Sequence, residues 1–256
     1  MNENIIKEYD IYADKPDKIG YRQLTELIKR LVTEHKNQKT VCFCPNHNLE
    51  IYLYEFWVNP KEYKCSPYPL NTLFRNKGML EERKGRLEAA EQSFLDALEW
   101  NPVDIESYLA LCENNVKRAE WYALKENARK LYPYCYTCAD MARYYRYLGR
   151  HYLEVYQPEL SACLYHYSNY WYHTRIADKE LEFLKSVVGN QIKGPSLKKD
   201  QKLLTEYKIP LQPEAKTLEL FHYAVKAETN SDIRKLYHTM LYQVTNVDAI
   251  GKPLIE

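Results

Sequence analysis

The sequence predicts an all-α fold assembled from helical hairpins packed one on the next. Three observations carry this expectation. Glycine is scarce, with 7 copies in 256 residues, and clusters of β-branched residues are few, which argues against a sandwich or barrel. Residues 71–102 place Phe74, Gly78, Gly85, Ala90, Phe94, Ala97 and Pro102 where two helices joined by a tight turn need small and bulky side chains. The pattern then returns in degenerate form over 105–138 and more clearly over 142–175.

Residues 1–20 read as a polar lead-in with a turn around Pro16 and Gly20. Tyr21, Leu24, Leu27, Ile28, Leu31 and Val32 recur at helical spacing, in a helix that frays near 35–39. Thr40–Pro45 is a short apolar connector. Leu49, Tyr52, Leu53, Phe56 and Trp57 make the next helix, with Asn48 able to cap it and Asn59-Pro60 to stop it. Residues 59–69 hold three prolines without periodicity, a boundary. These first 69 residues are expected to form a helical cap.

In the first hairpin, 70–83 and 86–100 are helices, Gly78 sits where they approach closely, and Gly85 serves the turn. Asp104 is expected to cap the next helix, which runs to about Lys117, and its partner continues through Leu131 to Pro133. The third hairpin is marked by Tyr145, Leu148, Gly149 and Tyr152, then by Ser161, Tyr165 and Ser168. An offset of three residues puts Pro158 in a first helical turn, avoiding the roughly 3 kcal/mol cost of a mid-helix proline. A helix over 176–188 ends at Gly189, and 190–200 is a polar linker. A short helix to Tyr207 and a Pro-flanked loop to Pro213 follow. The last pair, 214–228 and 232–244, reads as a capping hairpin in which Leu218, Phe221, Ala224 and Val225 face Ile233, Leu236, Tyr237 and Met240.

The chain resembles the tetratricopeptide-repeat family, as a bacterial-type protein of no assigned subgroup. The likeness is strongest over 70–102, and the hairpins at about 71–104, 105–138 and 142–175 each have the length of one such repeat. The resemblance implies an α-α superhelix with flanking helical hairpins, 176–256 forming a C-terminal linker and cap. It also implies a concave groove, lined by the first helix of each repeat, for a peptide segment of a partner protein. By that pattern the groove residues are Thr72, Arg75, Met79 and Glu82, then Glu106, Leu109, Glu113 and Val116, then Arg143, Arg146, Arg150 and Leu153. The three arginines share one helix face, so they either fork onto a partner's carboxylates or phosphates or form a solvated stripe paired with acids such as Glu113 or Glu154. The subgroup that clamps chaperone C-terminal carboxylates is matched by Arg75 and Arg143 but not by Met79, Ala110 or Tyr147.

With Lys and Arg at 36 and Asp and Glu at 35, the formal net charge is +1, which disfavours nonspecific nucleic-acid binding. Tyrosine, at 25 copies, suits the half-exposed interfaces of a thin helical stack; a tyrosine-lined binding surface is the competing reading. No signal peptide and no membrane-length apolar run is found, and seven cysteines read as reduced thiols, so the expected setting is cytoplasmic. Cys42, Cys44, His47 and Cys65 are the only weak metal candidates, with spacing poor for structural zinc. Cys135 and Cys138 have redox spacing but lack the strand such motifs follow. His166 and His173 read as packed or surface histidines rather than catalytic bases. No phosphate loop, nucleophile elbow or dinucleotide fingerprint is present, so neither an enzyme nor a cofactor is called for. The expected role is partner binding. A peptide-sensing regulatory receptor, with a DNA-binding helix pair in 21–58, is the alternative, and a zinc protein a distant third.

Overall fold

The computed structural model describes residues 18–36, 40–189 and 192–247; the expected lead-in and the first part of the linker lie largely outside them. The described residues are all-α, with twelve α-helices and one two-stranded ribbon, and consecutive helices pack as in a helical repeat. The chain divides into two compact units, residues 1–119 and 120–256.

In the first unit, α1 (Lys18–Lys36) buries Leu24, Leu27, Ile28 and Leu31 against Leu70, Leu73 and Leu80 of α3 (Leu70–Arg83). The connector expected after α1 is instead a strand, β1 (Val41–Phe43). It pairs in parallel with β2 (Tyr63–Cys65), a segment whose three nearby prolines masked it in the sequence. Between them α2 (Asn48–Leu53) runs into a π-helical turn, Tyr54–Val58, which ends at Asn59 with φ +50°. Phe43 is fully buried and stacks on Tyr54 at 4.0 Å between ring centres. Asn48 does not cap α2. His47 holds the cap position and no side chain caps there; the preceding Asn46 binds the Glu50 carboxylate.

Helices α3 and α4 (Leu87–Trp100) form an antiparallel hairpin, as the pairs Gly78–Phe94 and Glu81–Ser93 require. Gly78 is where the hairpin closes. A Cβ there would lie 2.5 Å from the buried Phe94 ring, inside van der Waals contact. Gly85 takes φ +71° in the turn, a left-handed conformation costly for other residues. Next, α5 (Ile105–Lys117) lies beside α3. Asn71 meets Asp104 and Glu82 meets both Asn114 and Lys117, so residues about one repeat apart are neighbours.

The second unit opens with α6 (Trp121–Leu131), which packs on α7 (Cys138–Glu154). Thr137 and Asp140 form a reciprocal capping box at the start of α7. Antiparallel α8 (Pro158–Trp171) pairs with α7, and Pro158 stands in its first turn as the sequence predicts. Gly149 admits Tyr165 more loosely, with ring atoms 3.2 Å from where a Cβ would sit, and the Ser161 hydroxyl donates to the Gly149 carbonyl at 2.8 Å. Then α9 (Arg175–Val188) ends at Gly189 with φ +68°. The linker is shorter than expected, because α10 (Leu197–Glu206) begins inside it. The last pair is α11 (Ala215–Ala227) and α12 (Ser231–Thr245), the latter capped by the Asn230 side chain. Its expected packing face is only half right. Tyr237 is buried against Phe221, whereas Ile233 and Leu236 are 40% and 51% exposed, because α12 turns Tyr237, Leu241 and Val244 inward.

The two close-approach glycines differ in a measurable way. Gly78→Ala is expected to destabilise the protein by about 1–2 kcal/mol, overpacking against Phe94 outweighing the better helix propensity of alanine. Gly149→Ala is expected to be near neutral, since Tyr165 needs to move only a few tenths of an ångström. Urea unfolding of both variants checks this; equal losses would show that the Phe94 contact does not set the hairpin spacing.

Candidate functional site

The groove residues expected in the first unit are largely consumed by the fold. Arg75 donates to Asp104, whose side chain is buried, at 2.5 Å. Glu82 accepts from Lys117 Nζ at 2.5 Å and from Asn114 Nδ2 at 3.1 Å. Leu109 is buried, while Thr72 and Val116 are half-buried. What stays accessible is Met79, 42% exposed, together with Glu106 and Glu113.

Asp104 stands at the N-cap of α5 as expected, yet its side chain caps no backbone N–H. It is fully buried and accepts from Asn46, Asn71, Arg75 and the Ser107 hydroxyl. Beside it, buried Glu50 accepts from the Asn46 backbone N–H at 2.5 Å and from Asn101 Nδ2 at 2.8 Å, and lies 3.8 Å from His47. Burial, then the negative charge of Asp104, pushes the Glu50 carboxyl up to about 7. Burial pushes His47 down to about 4. This cluster fastens the ribbon and α2 to the first hairpin and α5. No local pattern announces it as a whole, because Asn46, Asn71 and Arg75 reach Asp104, and Asn101 reaches Glu50, across 29 to 58 residues.

The Cys/His candidates do not converge. Cys42 is half-buried, Cys44 buried and Cys65 exposed, and His47 faces Glu50. No group of three or more His, Cys, Asp or Glu able to hold a metal is found among the described residues.

In the second unit α7 has two opposite faces. Arg143 and Tyr152 are nine residues apart, roughly 180° around the helix, and Tyr145 lies near Tyr152. The tyrosine side is core. Rings of Tyr132, Tyr144, Tyr145, Tyr167 and Tyr170 form a continuous run with centres 4.9–5.9 Å apart. Three of their hydroxyls hold the loop before α11: Tyr145 donates to the Pro210 carbonyl, Tyr167 to Leu211 and Tyr132 to Gln212, at 2.8–3.0 Å. The loop thus lies across this face on three successive carbonyls, which answers the open question about the tyrosines: here they are packing and anchorage.

The opposite side carries the arginine stripe, and the structure divides it. Arg150 is tied down by Glu154 at 2.7 Å and Glu180 at 3.3 Å, and its guanidinium lies 5.3 Å from the Trp121 ring centre. It joins α6, α7 and α9, which is a structural role. Arg143 and Arg146 remain half-buried, Arg146 donating to the Ser168 hydroxyl at 3.3 Å. Leu153 is half-buried too and packs with α9.

Two thiol arrangements complete the survey. Cys138 opens α7, but burial and then Asp140 push its thiol up to about 11, opposite to what a redox cysteine needs. Buried Cys163 and His166 line a cavity of about 250 Å³ with Asp200. Burial and then the Asp200 charge hold the Cys163 thiol protonated, and it donates to the Asp200 carbonyl, so it is no poised nucleophile. His173, expected as a packed or surface residue, is exposed and meets Asp178 at 3.1 Å.

Neither a known protein family, nor a curated protein, nor a solved structure matches the chain. No helix among the described residues is long and apolar enough to cross a membrane.

The His47–Glu50 pair has a definite pH signature. Between their ordinary values of 4.5 and 6.5 the unfolded chain carries one proton, on His47, and the folded chain carries one, on Glu50. Folding therefore moves a proton with almost no net uptake, and the pair contributes a flat profile there. His47→Asn leaves Glu50 alone: its raised value means stability is expected to fall as pH rises from 4.5 to 7, by up to about 3 kcal/mol. Glu50→Gln leaves His47 alone: its lowered value means stability is expected to rise from pH 4 to 6.5. Thermal unfolding against pH for the wild type and both variants checks the opposite slopes. Parallel profiles in all three would remove the pair from the account.

Proposed function

We propose that this chain is a non-enzymatic interaction module of the tetratricopeptide-repeat kind, which binds an acidic peptide segment of a partner protein. The observation that carries the reading is the face of α7 bearing Arg143 and Arg146. Both residues are only half-buried, on the side of the helix opposite the tyrosine core, where a carboxylate-rich segment could reach them. Support for the repeat comes from the two hairpins closed at Gly78 and Gly149 and from the side-by-side packing of α3 and α5. In the first unit Met79, Glu106 and Glu113 offer a chemically different surface, apolar and acidic. All seven cysteines are free thiols, which suits a reducing cytoplasm. The near-balanced charge supports neither nucleic acid nor a membrane surface as the partner. The reading needs no cofactor.

Fluorescence anisotropy with a labelled Glu/Asp-rich dodecapeptide and its Gln/Asn counterpart tests this reading. The acidic peptide is expected to bind preferentially, and the double change Arg143→Glu with Arg146→Glu to weaken binding about tenfold or more, with helical content unchanged. Arg150→Gln is expected to act on stability instead, costing about 1 kcal/mol because its ion pairs are partly solvent-screened. Equal binding of both peptides, or binding indifferent to the double reversal, would sink the proposal.

A further inference from the structure

Helix α9 is amphipathic in an unusual way, with apolar residues on two sides. Ala177 and Leu184 face inward, fully buried among Ala162 and Tyr165. On another side Ile176, Phe183 and Val187 recur at i, i+7 and i+11 and are 64%, 51% and 65% exposed. Beside this ridge lies an open cavity of about 350 Å³ lined by Leu153, Tyr156, Pro158, Phe183, Val187 and Val188, with Glu154 as its one charged residue. Tyr156, at its rim, is 93% exposed and held at φ +59°. Phe183 and Val187, one turn apart, join this cavity in a single apolar patch, while Ile176 lies two turns before Phe183, beyond Lys179 and Glu180; an exposed apolar patch of this kind marks an interaction surface rather than ordinary solvent-facing helix.

The charges flanking the ridge choose the occupant. Lys179 and Glu182 are both exposed, on one flank of the ridge and three residues apart. We propose that this face binds a second copy of the same chain, α9 against α9 in antiparallel register about a two-fold axis. In an antiparallel pair the same flank of each helix meets its counterpart, so Lys179 of one copy opposes Glu182 of the other, twice over. The register that aligns these charges sets Ile176 within two residues of Val187 of the second copy along the helix, and places the two Phe183 side chains on either side of the axis. A parallel pairing would bring opposite flanks together and leave Lys179 and Glu182 of the two copies apart. The interface is isologous, so it closes at two copies and does not propagate.

Light scattering on the full chain during size-exclusion chromatography, over a hundredfold range of concentration, tests the pairing. The expected result is a mass that rises to twice that of the chain. Phe183→Asp should leave a monomer with unchanged circular dichroism, since the side chain is half-exposed and outside the core. Lys179→Glu alone should weaken the dimer about tenfold by setting like charges face to face, and Lys179→Glu combined with Glu182→Lys should restore it. A monomer at every concentration overturns the proposal and leaves the face to an apolar segment of another protein. A dimer that survives Phe183→Asp, or a charge swap that fails to restore pairing, overturns it as well.

Discussion

Two helices can lie close together only where one of them gives up its side chain, and this constraint organises both units. At Gly78 the Phe94 ring occupies the space a Cβ would need, so α3 and α4 meet with no room to spare. The approach brings Ser93 against Glu81, where Lys77 and the Tyr21 hydroxyl also arrive, and a buried carboxylate is satisfied. Gly149 and Tyr165 repeat the device with more slack in α7 and α8. The outward faces of each hairpin are consequently well defined, and neighbouring elements are placed by how they cover them.

The two units cover those faces by different chemistry. The first uses buried polar groups: Asp104 and Glu50 gather amides, a guanidinium and a hydroxyl from segments that hydrophobic packing alone would not hold in register. Such a cluster stabilises only because nearly every donor and acceptor in it is met; each lost partner would strand a buried charge. The second uses tyrosine, whose ring fills the gap while its hydroxyl reaches a backbone carbonyl. Three in succession hold the 210–212 segment, which has no helix or strand partner to satisfy it.

For binding, the important consequence is subtraction. Arg75, Glu82 and Arg150 stand on the faces a repeat protein would present to a ligand, yet each is bound to acids or bases of its own unit. Met79, Glu106 and Glu113 are exposed in one unit, and Arg143 and Arg146 are half-buried in the other. The apolar ridge of α9, with Ile176, Phe183 and Val187 outward, is a second surface of different character.

Helices, turns and hairpins were legible in the sequence because their signals are local. A 3.6-residue period, a glycine in a tight turn and a proline in a first helical turn each act within a few residues, and 70–83, 87–100 and 158–171 fall where those signals place them. The ribbon was not legible, since three-residue strands carry too little alternation and their pairing joins positions 22 residues apart. Nor was the fate of the charges. What a groove arginine binds depends on which side chains other segments bring to it, and Asp104 and Glu180 reach Arg75 and Arg150 from 29 and 30 residues away. The sequence by itself determined the helices and where the first hairpin must pinch. Only the tertiary structure decided which charged side chains are held inside the fold, because that depends on which neighbours pack against them.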